Sequence, residues 1–415
     1  MGPLKFVHMA DVHLDTGFYS RQEGVRKRLR DAVRVAFKRG VDLCIDRQVH
    51  CMLIAGDLFD GQRLSFETEK FLLEQMNRLK DHGIQVFYCT GNHDPGGIGQ
   101  YSGIKWPSNV RIFGGEAIET AQVKDRDGYV IAKVVSCGHS RQNLDRNLVK
   151  DFPVAQGDIY HIGLVHAMVT GAASLASHRR YAPCSLEDLV SKGYQYWALG
   201  HVHARQEVGN GGYIYYSGNI QGRHPGEIGD KGCSLVEIHP GGIPHVEFYP
   251  LADVKWHQLT VDNLTDISDM EDLENCLIQQ CSRALQDERL PAHSHIIRIH
   301  LIGSCPLYTR LGNEEDVAFL EEQLTYQTGV LSVEILTDLR PPVDIGKYLG
   351  DVNLLAHVLE LIEQAQLKDD VLEQLIPEQL AVGRFAAQDE RLAYAKSLLK
   401  GLKEEAVARM VVDKE

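Results

Sequence analysis

Five short apolar runs in this chain each lead into a polar turn that carries Asp, Asn or His. Leu4 to Met9 leads into Ala10-Asp11-Val12-His13, and Cys51 to Ala55 into Gly56-Asp57-Leu58-Phe59-Asp60. Ile84 to Cys89 leads into Gly91-Asn92-His93-Asp94, Ile159 to Val165 into His166, and Tyr196 to Leu199 into Gly200-His201-Val202-His203. Apolar runs of this length, bounded by turn residues, read as buried strands. Two segments between the first three runs show helical spacing: 23 to 48 (Val25, Leu29, Val33, Phe37, Val41, Ile45) and 66 to 79 (Phe71, Leu72, Met76, Leu79). The order β-α-β-α-β implies parallel strands with right-handed crossovers. Ligands of such sheets gather beyond the carboxyl ends of the strands, where all five polar turns fall.

From about Asn109 short strands with Gly turns replace helices, at 110–113, 130–137, 159–165, 196–199, 213–216, 233–238 and 245–248. Ser185 to Val190 reads as a short helix with Glu187 and Asp188 near its start. The expected α/β domain therefore has two packed sheets and spans residues 1–255. Residues 256–340 read strand, helix, strand, helix, strand, a small α+β module. Pro341-Pro342 stops it. Residues 341–415 read as a helical tail, with helices at 351–364 and 391–411.

Composition bounds the chemistry. The chain has 415 residues, 44% hydrophobic and 24% charged, in the range of globular proteins. No apolar run reaches the ~18 residues that a membrane helix needs, so no membrane association is expected. The first strand begins within five residues of Met1, so no signal peptide is expected. The nine cysteines are scattered and none forms a C-x-x-C pair, which fits a reducing, cytoplasmic location. Net charge is −14. Residues 1–255 hold 29 Lys+Arg against 28 Asp+Glu, so the acidity lies in the second half. A near-neutral first half is no basic patch, and strong sequence-independent binding of DNA by this chain alone is not expected.

The polar turns supply carboxylates, one amide and several imidazoles. Asp11 and His13 are two apart, so an extended chain would point both to one side. His201 and His203 share that relation, with Val202 toward the core. This mixed N/O set suits two six-coordinate divalent metals better than one structural zinc, since no Cys lies in the turns. A carboxylate can bridge two ions ~3.5 to 4 Å apart, which can clamp both oxygens of a phosphoryl displacement. Asp57, preceded by a glycine, is the natural bridge.

The ordered set D-x-H, GD-x-x-D, GNHD, a lone strand-end His and GHxH, over residues 11 to 203, resembles the calcineurin-like metallophosphoesterases. Thr90 to Pro95, Tyr196 to His203 and Tyr216 to Gly232 are similar to the DNA-repair nuclease subunits of the SbcD and Mre type, with the closest likeness to the bacterial YhaO branch. The resemblance implies an αββα sandwich with a small α+β cap domain and a helical C-terminal tail. It implies that Asp11, His13, Asp57 and His203 hold one metal and that Asp57, Asn92, His166 and His201 hold a second, usually manganese. It further implies hydroxide attack on phosphorus, with His93 assisting the leaving oxygen and Asp60 orienting His93. The implied partners are DNA and an SMC-like coiled-coil ABC ATPase docked on the tail, with a homodimer suggested. No G-x-x-x-x-G-K-[ST] is present, so ATP hydrolysis is expected of a separate chain.

Other readings stay open. The same chemistry would serve a phosphatase or phosphodiesterase acting on small or protein substrates, and a chain with a vestigial site would be a non-catalytic adaptor. Asp15 is expected to be a turn or cap residue and His139 structural. His178, Arg179 and Arg180 would touch phosphates or form a solvated loop. Arg223 and His224 would contact substrate or shape a turn. The tail helices would dock a partner or pack on themselves.

Overall fold

The structure is a computed structural model that describes residues 2–19, 21–60, 64–96, 104–170, 181–349, 353–376 and 388–411. The chain divides into two compact units, Met1–His257 and Gln258–Glu415.

The first unit begins with β1 (Leu4–Met9), α1 (Glu23–Asp46), β2 (Cys51–Ala55), α2 (Phe66–Asp81), β3 (Gln85–Cys89) and β4 (Val110–Phe113). It continues with β5 (Glu119–Lys124), β6 (Val130–Ser136), β7 (Tyr160–His166), α3 (Leu186–Val190), β8 (Tyr196–Gly200), β9 (Gln206–Glu207), β10 (Ile214–Tyr216), β11 (Gly232–Ile238) and β12 (His245–Pro250). Two six-stranded sheets result, in the orders β12-β11-β1-β2-β3-β4 and β5-β6-β7-β8-β10-β9. The strands β1 to β4 run parallel, as do β6, β7 and β8. The fold is thus two mixed sheets flanked by helices, the two-sheet sandwich that the resemblance implies.

Alternation of side chains explains the packing. Leu4 and Phe6 of β1, Leu53 and Ala55 of β2 and Phe87 of β3 join Ile162 and Leu164 of β7 and Tyr196 and Ala198 of β8 in one core between the sheets. α1 buries Leu29, Val33, Phe37, Val41 and Cys44, spaced three and four apart, a single apolar stripe. α2 starts where the Ser65 hydroxyl accepts from Thr68 N. α3 carries a full capping box between Ser185 and Asp188.

Strands β5 and β9 are additions to what the hydrophobic pattern gives. In β5 only Val123 is fully buried, so its edge position leaves almost no apolar signal. Strand β9 has two residues and is defined by pairing alone.

A three-stranded sheet follows, of β13 (Lys255–Val261), which begins at the end of the first unit, β14 (His295–Ser304) and β15 (Ser332–Arg340), with α4 (Met270–Leu285) and α5 (Glu314–Thr328) in the second unit. Its core is built from Leu273, Leu277, Ile297, Ile299, Leu320, Leu324 and Val333. α6 (Leu354–Leu367), α7 (Asp369–Leu375), α8 (Gln388–Leu398) and α9 (Leu402–Met410) follow. The single helix expected over 391–411 is two helices. Gly401 adopts a left-handed φ of 80° that interrupts the repeat. Helix α7 is also additional, and Asp351 lies outside the described residues. No helix among the described residues is long and apolar enough to cross a membrane.

A titratable polar group sits inside the inter-sheet core. His8 of β1 is fully buried, with Nε2 3.2 Å from Leu199 O and Nδ1 3.0 Å from the Tyr196 hydroxyl. Both bonds are met by a neutral ring that donates from Nε2 and accepts at Nδ1.

Gly163 faces Trp197 across β7 and β8, and a Cβ there would lie 2.1 Å from the indole. Gly163→Ala should destabilise by about 1–3 kcal/mol in urea unfolding. Burial holds the His8 imidazole down to about 3 from the usual 6.5. Its contribution is fully present above pH 6.5 and is lost as the unfolded chain, but not the folded one, takes up a proton. Between pH 7 and pH 5 the wild type should lose about 2 kcal/mol more stability than His8→Gln in paired urea titrations.

Candidate metal centre

Strands β1, β2 and β3 of one sheet and β7 and β8 of the other deliver their carboxyl ends to a common point. Beyond β1 the chain stays beside the segment after β2: Asp11 N donates to Gly56 O at 3.1 Å and His13 N to Asp57 O at 2.9 Å. The expectation of an extended chain at Asp11 and His13 is corrected here. Asp11, His13 and Asp57 have φ of 50°, 53° and 50°, and His201 has 103°. Such left-handed backbone is unusual for residues with side chains and persists where the surroundings over-determine it. Val202 is buried, as its place between two polar residues implies.

The side chains converge. His13 Nε2 lies 3.3 Å from His203 Nε2 and 3.7 Å from Asp57 Oδ2. His166 Nε2 lies 3.4 Å from the same Asp57 oxygen and 2.9 Å from Asn92 Oδ1. Asp57 Oδ2 therefore faces both sets of donors. Asp11 Oδ1 is 3.9 Å from His203 Nε2 and 4.0 Å from His166 Nδ1. The His201 ring packs edge-on against His166, with centroids 5.3 Å apart, and its backbone N–H donates to Asp11. Among the described residues, three overlapping groups could hold a metal ion: Asp11, His13 and His203; Asp11, Asp57 and His166; and His13, Asp57 and His93.

The donor atoms fit cations. His203 Nδ1 is 2.6 Å from Glu227 Oε1 and His166 Nδ1 is 2.9 Å from Ala55 O. Each ring donates there, which bares its Nε2 toward the centre. The bare His166 nitrogen and the Asn92 carboxamide oxygen then face one point as two electron-pair donors. The 3.3 Å between His13 and His203 nitrogens is close to the ~3 Å expected for two ligands ~2.1 Å from one ion at right angles.

Electrostatics points the same way. Burial, and then the neighbouring Asp57 charge, push Asp11 well above the usual carboxylate range. Burial, and then Asp94, push Asp57 up to about 8. Burial drives His13 and His166 well below the ordinary imidazole value. Two sequestered carboxyls that resist ionising, amid neutral imidazoles, are a site where a divalent ion would favour the charged form.

His93 stands at the margin, half-buried, its Nδ1 2.8 Å from Asp60 Oδ1. The hydrogen bond to Asp60 raises its pKa above the ordinary value, burial opposing. For Asp60, burial acts upward, and the bond to His93 and the Arg223 charge turn the net shift downward.

Three supporting residues are not legible as such in the sequence. Asp94 is fully buried and accepts from the backbone N–H groups of Asp57, Leu58, Phe59 and Gly91 and from the Tyr88 hydroxyl. It fixes the turn that carries Asp57 to the turn that carries Asn92. The close approach needs Gly91, where a Cβ would lie 2.2 Å from Asp57 Oδ1. Glu227 accepts from His203 and also from Asn219 Nδ2, and Thr16 donates to Asp60 Oδ2 at 2.9 Å. Asp94 belongs to the GNHD turn itself and Glu227 to the Q-G-R-H-P-G-E stretch, the available signals.

Asp15 accepts from Ser65 N at the start of α2, a cap contact outside the centre. His139 Nε2 lies 2.8 Å from His166 O, behind the centre. Arg223 Nη2 pairs with Asp60, while His224 is exposed 3.2 Å from Glu227. His178, Arg179 and Arg180 lie outside the described residues.

Residues 4–205 match the calcineurin-like phosphoesterase family, and the chain belongs to it. It is 33% identical over 307 residues to the metallophosphoesterase YhaO of Bacillus subtilis (strain 168), covering 73% of this chain and 72% of that protein. It is 23% identical over 362 residues to the DNA double-strand break repair protein Mre11 of Sulfolobus acidocaldarius, covering 80% and 84%. It is 23% identical over 290 residues to SbcD, a component of the nuclease SbcCD of Rhodobacter capsulatus, covering 58% and 68%.

Asp94→Ala should cost about 3 kcal/mol or more in urea unfolding, because it strands several buried donors. It should also weaken metal uptake measured by calorimetry, although Asp94 is not among the candidate ligands.

Proposed function

We propose that this protein is a metal-dependent phosphodiesterase acting on DNA, the nuclease subunit of a repair complex whose ATPase is a separate SMC-like chain. The observation that carries the reading is His93 clamped on Asp60 beside clustered carboxylate and imidazole donors. Asp11, His13, Asp57 and His203 would hold one divalent ion, and Asp57, Asn92, His166 and His201 a second, with Mn²⁺ the expected metal. Bound ions of this kind supply Lewis acidity at the phosphoryl oxygens and a water acidic enough to lose its proton near neutral pH.

The chain's own residues do the rest. Asp57 holds the two sets of donors in register. Glu227 and Ala55 O keep the His203 and His166 rings turned toward the substrate side. Asp60 accepts from His93 Nδ1, directing Nε2 to the departing oxygen and favouring the protonated ring. His93 then delivers that proton as the P–O bond breaks.

The names of the Mre11 and SbcD relatives support the DNA reading. The near-neutral charge of residues 1–255 supports dependence on a partner for holding DNA. In this reading residues 1–255 form the nuclease domain, 256–340 a cap and 341–415 the docking region for the coiled coil, in a cytoplasmic dimer. The same charge balance favours a second reading, hydrolysis of small or protein phosphoesters.

The test assays linear duplex DNA and a nitrophenyl phosphodiester side by side, with Mn²⁺, Mg²⁺ or chelator. Both should be cleaved with Mn²⁺, neither with chelator, and His93→Ala should lose about 10²–10⁴-fold. Cleavage of the small diester alone would keep the chemistry and leave two explanations, a non-DNA substrate or a missing ATPase partner. A wild-type chain inactive on both would point to an adaptor.

A further inference from the structure

Asp60 is held by more than His93. Its Oδ1 takes His93 Nδ1, and its Oδ2 takes the Thr16 hydroxyl and the Arg223 guanidinium. Its backbone N–H is tied to Leu14 O at 2.9 Å. Arg223 comes from a segment 163 residues further along the chain, and its own backbone N–H donates to Glu227 Oε2 at 2.7 Å. Glu227 in turn holds His203 Nδ1. The 223–227 turn therefore touches the centre at both ends, His203 through Glu227 and His93 through Asp60.

We infer that Arg223 is a positioning residue for the leaving-group proton donor, acting through Asp60 on His93. The inference rests on the phosphodiesterase reading and names a residue of that same site. The physical reason is the number of ways a carboxylate can turn. With Thr16 alone on Oδ2, Asp60 can rotate and trade oxygens. The Arg223 Nη2 contact adds a charge-assisted bond that anchors Oδ2, and so leaves Oδ1 on His93 and the ring aimed at the departing oxygen. Arg223 also neutralises Asp60 from the side away from His93, so the acid stays ionised as an acceptor.

A residue that acts through the proton donor matters in proportion to how much the leaving oxygen needs the proton. A nitrophenolate leaves with little help, whereas an alkoxide requires protonation. Arg223→Met, Arg223→Lys, His93→Ala and the double variant Arg223→Met/His93→Ala would be assayed on the nitrophenyl and methyl esters of thymidine 5′-monophosphate, with Mn²⁺ and with bound metal measured in each.

The expected result is a loss about 10- to 100-fold greater on the methyl ester than on the nitrophenyl ester for Arg223→Met. The loss should appear in kcat rather than KM, with metal content unchanged and partial recovery in Arg223→Lys. The double variant should be no worse than His93→Ala, as two members of one relay require. Equal losses on both esters, or losses that multiply with His93→Ala, would overturn the inference in favour of a direct phosphate contact. A wild type inactive on both esters with every metal would overturn the phosphodiesterase reading, and this inference with it.

Discussion

Two carboxylates buried side by side are the constraint on which the rest of this molecule depends. Asp11 and Asp57 are out of solvent, beside one another, at the junction of two sheets. Sequestering such charges costs several kcal/mol per ion unless opposite charge and hydrogen bonds offset it. The surroundings are built to that end. The backbone of His201 donates to Asp11, and the backbone of His93 donates to Asp57 at 2.8 Å. The remaining imbalance is what a divalent cation would supply.

That demand explains features that would otherwise be liabilities. Left-handed backbone at Asp11, His13 and Asp57 is strained for residues with a Cβ. It turns the carboxylates and imidazoles inward from strand ends whose next residues would otherwise alternate between faces. Asp94 secures the arrangement by gathering four backbone N–H groups from two turns. Its charge is spent on structure, yet it also raises the pKa of Asp57. The rigidity of the turns and the electrostatics of the centre thus come from the same buried group.

The histidines divide by their second nitrogen. His203 is turned by a carboxylate and His166 by a backbone carbonyl, and both present Nε2 to the centre. His93 is turned by Asp60, which raises its basicity, whereas burial holds His13 and His166 neutral. One residue type thereby supplies neutral electron-pair donors in one place and, a few ångströms away, a ring held toward its protonated form, with burial and the neighbouring carboxylate setting the difference.

The sequence by itself determined the donor inventory and its order along the chain. Each candidate ligand follows an apolar run, and that pattern is local, set by periods of two and 3.6 residues. The main strands and helices were legible for the same reason. The tertiary structure decided what no local pattern carries. His166 meets Asn92 across 74 residues and Asp60 meets Arg223 across 163, so ring tautomers and carboxylate orientations depend on pairs that only the packing of two sheets creates. Strand β5 was invisible because an edge strand buries little, and the break at Gly401 because a single glycine in sequence can end a helix or be tolerated within one. The roles of Asp94, Glu227 and Thr16 belong to this second class. Each is an ordinary polar residue in sequence, and it becomes part of the site only through the neighbours that folding brings to it.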